Sequence, residues 1–198
     1  MKDIRAFQLF DSALPIGGFH YSNTVEEARY VVEDMAEYIS SFYRNVILPG
    51  DVVAARLAFG DPWDADALLF ASKVTTELRD MTVGKGRSLV ELDLAPGVFF
   101  GDVKSRKTPG TYPVVVAQLA KALEVSEALC LYGVAHSEVS AMVLAAVRMR
   151  ALDFLEAQRL LGRLLSEFSV PDEFSPFDPF ADILSKRHEK REPKVFLS

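Results

Sequence analysis

Cysteine is nearly missing, with Cys130 the only one in 198 residues. That excludes an internal disulfide framework and any metal site made of several thiolates from one chain, and it leaves Cys130 simplest to place as a small buried hydrophobe. Histidine is almost as scarce: His20, His136 and His188 stand in distant segments. No His-x-x-x-His or Cys-x-x-Cys spacing gathers them around a metal. Positive charge is in deficit, with a net charge of -6 and a pI near 5.1, which argues against nucleic acid or an anionic membrane as the main partner. There is no run of about 18 uncharged apolar residues and no basic lead into an apolar stretch at Met1. Neither a membrane span nor a signal peptide is supported, and the chain reads as cytosolic.

Motifs for catalysis are also missing. Ser12 lies outside any Gly-x-Ser-x-Gly elbow after a strand, so a hydrolase built on Ser12, His20 and nearby acids has no sheet to stand on. "PIGGFHYSNT" and "VGKGRS" lack the spacing of a phosphate-cradling loop. The basic cluster Lys104, Arg106 and Lys107 sits in a turn-rich segment, as a solvated loop or as a docking patch for an acidic partner.

What is present is apolar residues at helical spacing. Met35, Ile39, Phe42, Tyr43 and Val46 step by three and four, as do the apolar positions of 64–82, 112–123, 126–150 and 153–168. The pattern predicts an all-α protein, a single-domain bundle of roughly eight to ten helices. Asn23 stands three residues before Glu26 in capping-box fashion, Asp34 opens a helix, and Pro62 with neighbouring acids opens another. Pro-Gly pairs at 49–50 and 96–97 predict stops, and "GDVVAARLAFG" after the first is the less clear helix. Residues 126–150 are apolar on more than one face and rich in small residues, which suits a central helix or an oligomer interface.

The last thirty residues differ, holding four of the ten Pro and four of the fourteen Phe. They divide the chain into a helical domain, 1–168, and a tail, 169–198, that either packs back on the core or docks on a partner.

The ends of the chain carry a resemblance. "LFDSALPIGGFHYSNTVEEA", with Asp11, Ser12, Ala13, Leu14, Pro15, Gly17, Gly18, Phe19, Tyr21, Ser22 and Glu26, resembles the N-terminal signature of the UreF family of urease accessory proteins. Glu77, Arg79, Gly86, Tyr112-Pro113, Ala146, Arg148 and Gln158 fit in register. So does the closing pattern with Asp182, Ile183, His188, Glu189, Phe196 and Ser198. Arg150, Ala151, Asp153 and Phe154 replace the family's Gly-Pro-rich break, leaving a longer or differently bent helix as the alternative. Lys194-Val195 replaces Arg-Leu, keeping the charge but losing the planar fork, and Asn23-Thr24 suggests an ordinary capped helix.

The resemblance implies a non-catalytic, cytoplasmic homodimer that binds UreD (also called UreH) and the nickel-carrying GTPase UreG, and serves apo-urease. It implies no cofactor held by this chain. In such a role the tail would dock through Phe177, Phe180, Ile183, His188, Lys194, Phe196 and Ser198, while Asp11, Ser12, Pro15, Gly17, Gly18, Ser22, Glu26 and Arg148 form the structural signature. The alternative is a nickel carrier with a weak site of His20, His136 and Cys130 at a dimer interface.

Overall fold

The computed structural model describes residues 4–197, and these are all helix and loop, without a strand. The elements are α1 (Ile4–Leu9), a 3-10 turn (Gly18–His20), α2 (Val25–Ala28), α3 (Met35–Phe42), a π-helical segment (Tyr43–Val52) and α4 (Val53–Ala58). After these come α5 (Pro62–Ser72), α6 (Thr76–Glu91), α7 (Val98–Lys104), α8 (Tyr112–Ala122), α9 (Glu127–Arg148), α10 (Phe154–Ser166) and α11 (Pro179–His188). The all-α expectation holds.

The core is built around α8 and α9. Val114, Val115, Val116 and Ala117 are fully buried, as are Cys130, Val134, Val139 and Met142. Gly86 lets α6 cross the turn before α8, since a Cβ there would meet the Gly110 carbonyl oxygen at 2.0 Å. α9 is the one helix among the described residues long and apolar enough to cross a membrane, and 61% of that apolar window is buried by the rest of the chain.

The Pro49-Gly50 stop does not occur. Helix runs unbroken from Met35 to Ala58, because the ladder widens to the π register over Tyr43–Val52 and carries Pro49 through. In an α register residue 49 would donate to the Asn45 carbonyl, and Pro has no N–H to give. Phe177 N–H supplies that bond at 2.9 Å, and Ser175 N–H reaches the Pro49 carbonyl at 3.2 Å. Pro176 lies between them against Gly50, where a Cβ would come within 2.9 Å of the proline Cβ. Arg56 adds a bond to the Asp172 carbonyl at 2.6 Å. The start of the tail thus completes the backbone of the π segment.

Two further expectations change. Apolar spacing over 64–82 is two helices, since α5 ends at Ser72 and Thr75 caps α6 by accepting from Leu78 N–H at 3.3 Å. Between α9 and α10 the break is kept without Gly-Pro: Arg150 takes a left-handed φ of 57°, and Asp153 caps α10 through Glu156 N–H at 2.9 Å. The less clear helix after Gly50 is helical.

Buried charge is paired. Lys73 meets Asp51 at 2.9 Å, and Lys85 meets Glu138 while its ammonium sits 4.4 Å from the Tyr112 ring centre. Burial pushes the Asp51 carboxyl above its usual range, against the pull of Lys73. Asp66 accepts from Thr108 Oγ1, Gly110 N–H, and the N–H and hydroxyl of Thr111 at 2.5 to 2.7 Å, fixing the basic turn-rich segment. There Lys104 and Lys107 pair with Asp93 and Asp102.

Candidate functional site

The signature stretch folds as a corner. Asp11 accepts from Ala13 N–H at 2.8 Å, Gly17 takes φ +76° where an L side chain is strained, and the 3-10 turn carries the chain to Ser22. The expected Asn23 cap is not made. Asn23 and Thr24 hold φ of 53° and 74°, and the Thr24 hydroxyl bonds the Tyr38 hydroxyl. Ser22 Oγ accepts Glu26 N–H instead, at 3.3 Å. The short α2 that follows is pinned rather than conventionally capped, and it buries two adjacent carboxylates, Glu26 and Glu27.

Those carboxylates hold the tail. Glu26 accepts Val195 N–H at 2.9 Å and Phe196 N–H at 2.8 Å, and faces His188 Nε2 at 3.1 Å. His188 Nδ1 faces Glu77 Oε2 of α6 at 2.9 Å, and Lys194 reaches the other Glu77 oxygen at 2.6 Å. Glu27 takes Arg191 at 2.7 Å and Arg187 at 3.2 Å. Burial alone would raise the Glu26 carboxyl, but the two tail N–H groups and His188 hold it below its ordinary range. Leu197 N–H closes the contact on the His20 carbonyl at 2.7 Å.

Arg148, at the end of α9, joins corner to tail. Its Nη1 donates to the Phe19 carbonyl at 2.8 Å, and its guanidinium lies 4.6 Å from the centre of the buried Phe196 ring. Beneath is a cleft of about 90 Å³ whose walls include Phe10, Ile16, Phe19, Leu144, His136 and Phe196. Burial lowers the basicity of the His136 ring.

The residues expected from the sequence therefore divide. Glu26, Arg148, His188, Lys194 and Phe196 meet at one place, with Ser22 and Gly17 shaping the corner. Asp11, Ser12, Pro15 and Gly18 belong to the turn itself. Phe180 and Ile183 lie on the outer side of α11, 45% and 57% exposed, opposite the buried Ala181, Leu184 and His188, and Phe177, in the loop before that helix, is 76% exposed. Ser198 lies outside the described residues. Glu27, Arg187 and Arg191 were not expected, and the role of Glu77 was not read. Their signal was complementary charge, two adjacent Glu in an apolar helix start against a His-Arg-Lys run far along the chain.

Among the described residues no group of three or more His, Cys, Asp or Glu stands ready for an ion. Cys130 is fully buried, its thiol pushed up to about 12 by burial, while His20 is exposed on the corner.

The class defined by this arrangement is an all-α bundle whose N-terminal corner clasps its own C-terminal segment. The UreF family model matches residues 31–165. Aligned over 98% of the chain, it is 30% identical to urease accessory protein UreF 1 of Brucella melitensis biotype 1, covering 92% of that protein. It is 29% identical to urease accessory protein UreF 2 of Brucella canis, over 98% of the chain and 91% of the relative. Against urease accessory protein UreF of Photorhabdus laumondii the identity is 28%, over 99% and 98%. The chain belongs to the UreF family. The corner and the tail lie outside the span of the family model, while the alignments take in 98% and 99% of the chain.

Proposed function

We propose that this chain is a non-catalytic scaffold of urease maturation, joining the UreD/UreH protein to the nickel-carrying GTPase UreG and modulating GTP-dependent nickel insertion into apo-urease. It works in the cytoplasm as a homodimer, with nickel handled by the complex. The carrying observation is the alignment, over nearly the whole chain, with proteins named urease accessory proteins. The site geometry agrees with a binding role, since the charged side chains at the corner hold the chain's own tail while Phe177, Phe180 and Ile183 are each exposed to solvent. The alternative, a nickel carrier using His20, His136 and Cys130, is disfavoured by the burial of the thiol, because a thiolate is the ligand form.

Size-exclusion chromatography of the purified chain with UreD/UreH and UreG tests the scaffold reading. One co-eluting species is expected. Independent elution of all three overturns it.

A further inference from the structure

We infer that residues 194–197 form a latch over the corner cleft, and that its closure holds a proton between His188 and Glu77. This goes beyond the scaffold reading and does not depend on it.

Glu26 already accepts two backbone N–H groups from the tail, at 2.9 and 2.8 Å, so it serves His188 as an acceptor and Nε2 is the donor. A neutral imidazole has only one N–H. With that hydrogen on Nε2, a bare Nδ1 lone pair would point at Glu77 Oε2 across 2.9 Å. A second proton must lie on that line. Lys194 donates to Glu77 Oε1 at 2.6 Å, so that oxygen is already an acceptor and the geometry assigns the proton to the ring.

The charged groups bonded to the ring or beside it each have a task. From α2 come Glu26 and, beside it, Glu27, which is engaged by Arg187 and Arg191; from α6 comes Glu77; from the tail comes Lys194. On α11 itself Lys186 is turned to Glu189 at 2.8 Å.

The ring spaces the two carboxylates that hold the latch. Loss of the proton to solvent sets the Nδ1 lone pair against Glu77, which must turn away and release Lys194, and it withdraws positive charge from Glu26, which holds the Val195 and Phe196 N–H groups. Opening lifts Phe196 from the cleft and uncovers the face of Arg148 and the His20 carbonyl. The tail before it stays bound at the π segment, through the Ser175 and Phe177 N–H groups and the Arg56 bond to the Asp172 carbonyl.

Amide hydrogen exchange of the full chain by NMR, corrected for the intrinsic rate at each pH, tests the latch. Between pH 6 and 9 the protection of Val195, Phe196 and Leu197 should fall, by up to about tenfold per pH unit for one released proton. Ser175 and Phe177 should not follow. Tail protection that stays flat across this range overturns the proposal, as do ring nitrogen shifts showing a neutral His188 while the latch amides are protected. His188→Gln has no titrating proton and should lose the slope; a variant that keeps the wild-type slope also overturns it.

Discussion

The tail is fastened at two places, and they are fastened differently. At 172–177 the grip is mainly on backbone groups: Ser175 and Phe177 N–H groups fill carbonyls of the π segment, Pro176 lies against Gly50, and Arg56 donates to the Asp172 carbonyl. At 187–197 it is side-chain charge, with three carboxylates against His188, Arg187, Arg191, Lys194 and the tail amides. Among the bonds named, the first contains no pair of titrating side chains, and Pro176 against Gly50 fixes its geometry. The second is made of charge-assisted bonds, and Glu26 within it is held below its ordinary range by the partners it accepts from.

Four changes would sharpen or break this contrast. Glu26→Ala should have the largest effect, leaving two N–H groups and a buried imidazole without their acceptor, at a cost of about 3 kcal/mol. In thermal denaturation that is a fall of roughly 6–12 °C. An unchanged melting temperature would mean the corner adds nothing to stability.

Gly50→Ala attacks the other fastening. Its Cβ would lie 2.9 Å from Pro176, and overpacking there should cost about 1–2 kcal/mol even after the helix-propensity gain. Proteolysis should then cut sooner near 172–177, and a variant as resistant as the parent would show that the tail shifts at no cost.

Acid gives the third. Glu26 has its folded pKa lowered, so its contribution is fully present above the unfolded value, near 4.5, and is lost as pH falls through the folded value. Melting curves from pH 6 to 3 should show a loss of stability from this group as pH falls, which Glu26→Gln removes. If the parent and Glu26→Gln lose stability in parallel, this group is not the source. Arg187→Ala should do least, about 0.5 kcal/mol or less, because that arginine is half exposed and Glu27 keeps Arg191. A fall of several degrees would show the two arginines acting as a unit.

How much of this could be read in advance depends on the range of the interaction. Helices such as α8, α9 and α10 follow from three-and-four spacing because that signal is local. The break after Ser72 was missed because apolar spacing continues across it, while the cue, a Thr75 cap ahead of Leu78, is a single hydroxyl. Pro49-Gly50 misled because a proline stops a helix only if nothing else accommodates its missing N–H. Here the register widens, and residue 177 serves the Asn45 carbonyl from far along the chain. The corner and the tail were each legible as motifs. Their meeting was not, since Glu26 and Phe196 stand 170 positions apart and no periodicity links them.

That separation also orders events during synthesis. His188 leaves the ribosome 162 residues after Glu26, a delay of roughly ten to thirty seconds at ordinary elongation rates. Until then Glu26 and Glu27 have no cations to bury against, and hydration keeps α2 away from the core. The stretch translated among the earliest is therefore among the latest to settle, and a nascent chain paused before residue 188 displays its corner open.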